Sequence, residues 1–201
     1  MDEFGEAIAM AKFNDGKFAG KSAYEDENGI PVPMKSVLVF SDILGYKQMV
    51  ENAAKDGTSS NFLYDFRQAI YAAADVLGSE EEYFAFNFSD SVVMGWPIAV
   101  DAEAALYDTC LHVAAFQTMM TQCGYFIRSG VTVGEAYLDE YVQAGKAFID
   151  AYLIEKDVAV YPRAALSKDA VEEVKQACSY YSDAEGCPLN TLFLGYSSHP
   201  S

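Results

Sequence analysis

The sharpest hydrophobic signal in the chain is Val37-Leu38-Val39-Phe40. Four consecutive apolar residues, rich in β-formers, predict a strand buried on both faces. Ser41-Asp42-Ile43-Leu44-Gly45 follows, so an acid stands at the strand end and a small residue lets the chain turn. Residues 44–55 take up a helical pattern, and Gly57 suits its end. Phe62, Phe66, Ala69, Ile70, Ala73, Val76 and Leu77 form one stripe of a longer helix over 60–78. An acidic turn at 79–82 leads into residues 83–96, which read as strand, tight turn and strand. Ser89-Asp90-Ser91 forms the turn, and Pro97 ends the hairpin.

The pattern continues with a third helix over 101–123, capped by Asp101 and stopped by Gly124. Leu106, Cys110, Val113, Ala114, Gln117 and Met120 share its inner face, which leaves His112 on the other side, at the surface or against a partner. A strand is expected at 125–133, turned by Gly134 into a partner over 135–140. A helix follows over 145–156, then a strand over 157–166 that Pro162 confines to an edge or a bulge. A terminal helix over 167–178, capped by Ser167, precedes a loop-rich tail with one strand at 191–194. Before all of this, residues 1–35 form an irregular arm with one short helix near 6–13 and an acidic turn at 24–29. Whether the arm folds on its own domain or on a partner is left open. The order β-α-α-β-β-α-β-β-α-β predicts an α+β, ferredoxin-like domain, a mainly antiparallel sheet with helices packed on one face. The division is an arm (1–35), a domain (36–166) and a C-terminal helix and tail (167–201).

Composition narrows the function. A chain of 201 residues, half of them hydrophobic, is long enough for a substantial core. A net charge of -17 argues against general nucleic-acid binding, which needs a basic surface. It does not argue against a nucleotide, because a bound metal reverses the local field. Cys110, Cys123, Cys178 and Cys187 lack metal-type spacing and read as reduced thiols of a cytoplasmic protein, with Cys110 and Cys123 facing a core. The acidic Met1-Asp2-Glu3 start does not read as a signal peptide, and no apolar run approaches membrane-spanning length.

The candidate chemistry lies in two acids. A carboxylate at a strand end is held rigidly beside open space, so Asp42 is a candidate ligand for Mg²⁺ or Mn²⁺. It is equally suited to capping the next helix. Asp90, in the hairpin turn, is either a solvated turn residue or a second carboxylate converging on Asp42. Two such groups repel unless a cation lies between them.

These residues resemble the blocks of class III nucleotidyl cyclases. Asp42-Ile43-Leu44-Gly45-Tyr46 is similar to their Asp-Ile-x-Gly-Phe strand end, and Ser89-Asp90 to their Gly-Asp hairpin. Arg128-Ser129-Gly130-Val131-Thr132-Val133-Gly134 is similar to their Arg-x-Gly-Ile-x-x-Gly strand. Gly145-Lys146-Ala147 through Leu153-Ile154-Glu155 is similar to their Gly-x-x-(x)₅-Arg-Leu-Glu helix. The blocks stand in the family's order over roughly 36–166. The wording Phe-Ser-Asp-Ser, Gly-Glu-Ala-Tyr and Ala-Tyr-Leu-Ile-Glu most resembles the pyrimidine cyclases of bacterial Pycsar antiphage defence.

The resemblance implies two divalent cations, Mn²⁺ or Mg²⁺, held by the catalytic acids Asp42 and Asp90 and by the backbone carbonyl of Ile43. It places Phe86 and Val142 where purine cyclases read the base with a Lys and an Asp, so the adenine or guanine code is absent. Tyr46 falls at the aromatic position after Gly45, as a pocket wall or as a core ring. Ile149 and Leu153 replace the transition-state Asn and Arg, with Lys47, Lys146 and Arg163 as candidate replacement cations. Glu135 stands in place of a phosphate-binding Arg and is a candidate to bind metal, orient the base or pair with Arg128. Arg128 itself is expected to support the fold. One domain per chain implies a homodimer with shared sites. The implied activity is that of a phosphorus–oxygen lyase making cCMP or cUMP from a pyrimidine nucleoside triphosphate, as an antiviral signal sensed by a separate effector. The alternatives are a purine cyclase with displaced base readers and an inactive, nucleotide-binding regulator.

Overall fold

The Val37–Phe40 run lies at the centre of β1 (Met34–Ile43), the middle strand of the sheet in the computed structural model. The structure describes residues 24–77, 84–139, 142–183 and 186–192. The helix expected near 6–13 and the acidic turn at 79–82 lie outside the described residues. After β1 come α1 (Tyr46–Lys55), α2 (Ser59–Leu77), the hairpin β2 (Phe84–Phe88) and β3 (Ser91–Pro97), and α3 (Ala102–Gln122). Then follow β4 (Ile127–Leu138), β5 (Gln143–Ala144), α4 (Lys146–Asp157), β6 (Ala164–Leu166), α5 (Lys168–Ser179) and α6 (Pro188–Leu192). The strands run β2-β3-β1-β4-β5, all antiparallel, and β6 joins β4 in parallel. The expected α+β architecture with a mainly antiparallel sheet is therefore present.

The period-two alternation of β1 divides its side chains between two cores. Val37, Val39 and Ile43 join Met94, Trp96, Val131 and Val133 in a cluster covered by α2, α3, α5 and α6. Leu38 joins Val93, Ala136, Leu138 and Tyr24 in a second cluster covered by α4 through Ala147 and Ala151. Helices thus pack on both faces, not on one as the element order suggested. Tyr24 is buried in this second core, and its hydroxyl shares a hydrogen bond of 2.9 Å with Ser36 Oγ. The described end of the arm therefore folds on its own domain. The acidic turn at 24–29 forms as expected, with Asp26 Oδ1 accepting from the N–H groups of Asn28 and Ile30.

Several local expectations change. β4 runs straight through Gly134, and its partner is the two-residue β5 rather than a strand over 135–140. Gly134 serves close packing there: an added Cβ would lie 3.4 Å from Ala147 Cβ on α4. Only Ala164–Leu166 of the segment 157–166 is a strand, because Val158 and Val160 face solvent and find no sheet partner. Leu189 buries its side chain in the first core and draws the tail into α6, whose span takes in the first two residues of the strand expected at 191–194. His112 is not a plain surface residue: its ring lies 5.6 Å from Trp96, and Nδ1 is 2.7 Å from the Asp108 carbonyl. Cys123 is exposed at the end of α3 rather than facing a core, whereas Cys187 is fully buried. The caps Asp101 and Ser167 form as expected, accepting from the N–H groups of Glu103 and Ala170.

Gly130 admits a close approach of α4 to β4. A Cβ at this position would fall 2.1 Å from the Ala151 carbonyl oxygen and 2.6 Å from the Glu155 nitrogen. The backbone of α4 therefore lies directly on the backbone of β4. Gly130→Ala is expected to destabilise the fold by about 1–3 kcal/mol through overpacking, and Gly134→Ala by less. Chemical denaturation of both variants checks this, and the reverse order would contradict it.

Candidate active site

Asp42 lies next to last in β1, opposite Ser91 of β3 on one side and Arg128 of β4 on the other. Asp90 closes the β2–β3 hairpin, and its carbonyl accepts a 3.2 Å hydrogen bond from the Ile43 N–H. That bond ties the turn to the end of β1 and brings the two acids together. The turn is strained: Ser89 sits at φ 57°, the left-handed region that glycine adopts more easily. Loss of hydration raises the Asp42 carboxyl above its ordinary range, and the nearby Asp90 carboxylate raises it further. Arg128 opposes both effects.

Arg128 bridges two acids from different elements. Its Nη2 donates to Asp42 Oδ2 at 3.2 Å, and its Nε is ion-paired with Glu155 Oε1. Arg128 and Gly130 alternate onto the same face of β4, so the glycine admits α4 just where the arginine projects. Glu155, one turn beyond Ala151, then meets the guanidinium. The signal was present as Arg128-x-Gly130 together with Ala151-x-x-x-Glu155, residues far apart in sequence. Glu155 is only 2% exposed. Burial pushes its carboxyl up to about 7, against the pull of Arg128 and with help from the Asp42, Asp157 and Asp90 carboxylates.

The other predicted residues are placed as follows. Ile43 buries its side chain, leaving only its backbone to offer a ligand. Tyr46 packs its ring 5.0 Å from Phe66 and 5.9 Å from Phe62, against the core that holds Ile43. The Phe86 backbone pairs with Val93 in the hairpin. Glu135 is exposed on β4 opposite Lys35, and Arg128 pairs with Asp42 and Glu155 instead. Lys146 is exposed and paired with Asp150, and Lys47 lies 3.7 Å from Glu51. Arg163 donates to the Val158 carbonyl. Ile149 and Leu153 are 58% and 43% exposed on α4, and Val142 is 47% exposed. A separate open cleft of about 650 Å³ between α1, α2 and the end of α3 is lined by Phe62 but by none of the predicted site residues.

The carboxylate pair suits a hard divalent cation. The two acids are mutually repelling, oxygen-bearing and partly open to solvent, which is the donor chemistry Mg²⁺ and Mn²⁺ take. Among the described residues no group of three or more acids, histidines or cysteines could hold a metal.

No protein-family model matches the chain, and no curated protein matches it. Solved structures do. The adenylyl cyclase CyaB from P. aeruginosa shares the fold at a TM-score of 0.57 and 15% identity, over 72% of this chain and 82% of that one. The guanylate cyclase domain of RhGC from Catenaria anguillulae, solved with GTP, matches at a TM-score of 0.53 and 15% identity, over 72% and 85%. A class III adenylyl cyclase-like ATP-binding protein from Pseudomonas aeruginosa matches at 0.57 and 12%, over 73% of this chain and 37% of that one. The chain therefore has the class III nucleotidyl cyclase fold. Among the described residues no helix is long and apolar enough to cross a membrane.

Glu155 gives a test of the buried network. A carboxyl raised from 4.5 to about 7 stays protonated in the folded chain where the unfolded chain ionises. Its contribution to stability is present in full below pH 4.5 and is lost as pH rises through about 7. The stability of the wild type relative to Glu155→Gln should therefore fall over that range, by on the order of a few kcal/mol. Denaturation at several pH values measures this, and a pH-independent difference would contradict the assignment.

Proposed function

We propose that the chain is a nucleotidyl cyclase that uses Mn²⁺ or Mg²⁺ and converts CTP or UTP to its 3′,5′-cyclic nucleotide and diphosphate. The observation that carries this reading is the convergence of Asp42 and Asp90 at the ends of neighbouring strands, on a fold shared with adenylyl and guanylyl cyclases. In the reaction the ribose 3′-oxygen bonds to the α-phosphorus, the bond to the β-phosphate oxygen breaks, and the hydroxyl proton leaves to solvent or a base. Bound divalent ions would favour loss of that proton and take up the charge on the departing diphosphate. Asp42 and Asp90 would hold and orient them, with the Ile43 carbonyl as a further ligand. The first turn of α1 has N–H groups without intrahelical partners, which suits a triphosphate.

Base choice follows from absent polar groups. Phe86 and Val142 offer no side-chain hydrogen bond to a purine edge, and each buried hydrogen bond left unmade costs about 1–3 kcal/mol. Tyr46 is engaged with Phe62 and Phe66, so its part is to shape the pocket through that aromatic cluster. The exposed apolar side chains of Ile149, Tyr152 and Leu153 on α4 favour a homodimer that covers them. Within the family resemblance, the cyclic product is a cytoplasmic antiviral signal read by a separate effector, and Glu135 and Lys146 border the nucleotide.

A second reading is a nucleotide-binding regulator without turnover. It is favoured by the same Ile149 and Leu153, which bring no polar group to α4. Incubation of the protein with each of the four nucleoside triphosphates and Mn²⁺, with products identified by mass, separates the two. The expected result is cyclic CMP or UMP formed at least about tenfold faster than either purine product, a margin needing only about 1.4 kcal/mol. Asp42→Asn and Asp90→Asn should each lower turnover about a thousandfold or more. Preferred turnover of ATP or GTP would promote the purine alternative, and tight nucleotide binding with no product would promote the regulator.

A further inference from the structure

We propose that Arg128 is a movable counter-ion: it neutralises Asp42 in the cation-free protein and passes wholly to Glu155 when a divalent cation takes the Asp42–Asp90 pair. This rests on the reading of those two acids as the cation site.

The geometry carries it in three ways. The guanidinium touches both carboxylates at once, through different edges of its fork: Nη2 to Asp42 and Nε to Glu155. The Glu155 contact is the buried one, since Arg128 Nε and Glu155 Oε1 are both closed to solvent. The two carboxylates differ in access. The Asp42 side chain is 21% exposed and within reach of an entering ion, whereas Glu155 at 2% is closed to it.

Charge supplies the direction of the exchange. Asp42, Asp90 and Glu155 form a group of acids that interact with one another, faced by the single guanidinium of Arg128. One divalent ion balances that group when all three are ionised. An ion bound at Asp42 draws off the negative charge that holds Nη2 and repels the guanidinium, while Glu155 remains to receive it. The close seat of α4 on Gly130 keeps Glu155 in place throughout. Arg128 and Glu155 are then positioning residues that set how readily the acids accept a cation.

The opposing signs of two substitutions test this. Binding of Mn²⁺ to the purified full chain is followed by loss of the free-ion electron paramagnetic resonance signal, with no nucleotide present. Arg128→Gln removes the competitor and is expected to tighten Mn²⁺ binding about tenfold. Glu155→Gln leaves Arg128 with Asp42 alone and is expected to weaken it several-fold. The double variant should bind closer to Arg128→Gln than to Glu155→Gln, because Glu155 acts chiefly through Arg128. Weaker binding in both single variants, as general loosening of the fold would give, overturns the proposal. In the wild type, the Arg128 Nε–H nuclear magnetic resonance signal should shift on addition of Mg²⁺, and an unmoved signal at saturation also overturns it. Asp42→Asn and Asp90→Asn separate the two levels. If neither weakens Mn²⁺ binding, both the cation site and the counter-ion fall. If both do so while the Arg128 and Glu155 signs are wrong, the site stands and the counter-ion alone falls.

Discussion

The backbone of one helix laid directly on the backbone of one strand is the constraint from which the candidate site follows. Gly130 has no side chain, so α4 descends onto β4 until the Ala151 carbonyl occupies the space a Cβ would need. That descent carries Glu155 into the interior beside Arg128. Arg128 in turn stands across β1 from Asp42, in the register that pairs the two strands. A close packing contact is thereby converted into a line of charge that runs to the end of the central strand, beside the Asp90 turn.

This arrangement puts strongly interacting acids under one domain's control. Like-charged carboxylates at short range are tolerable only if a cation, a proton or a guanidinium intervenes. Here the guanidinium of Arg128 spans Asp42 and Glu155, and burial raises both carboxyls. Such an arrangement is poor as a device for stability, since a buried ion pair often returns less than its desolvation costs. Under the proposed function it would serve to receive a divalent ion and a polyanionic substrate on a chain whose net charge is -17.

Much of the fold was legible because its signals are local. The Val37–Phe40 run marked the central strand, the Ser89-Asp90-Ser91 turn marked the hairpin, and the caps Asp101 and Ser167 marked helix starts within a residue. The two acids were legible for the same reason, each standing where a strand ends. What failed depended on neighbours. Gly134 reads as a turn from sequence, but glycine also permits close packing, and Ala147 across from it decides which. Val158 and Val160 alternate like strand residues yet have no sheet edge to join. The Arg128–Glu155 pair has no local signature, because only the depth at which α4 sits on β4 brings the two together.

The central claim is that Asp42 and Asp90 jointly hold a divalent ion in the place that Arg128 partly fills. Anomalous scattering from crystals grown with Mn²⁺ and a non-cyclisable pyrimidine triphosphate analogue tests it most directly. The account predicts a manganese peak in contact with both carboxylates and phosphate oxygens, with Arg128 withdrawn from Asp42. A well-occupied nucleotide whose manganese lies away from both acids, with Arg128 still on Asp42, would contradict it.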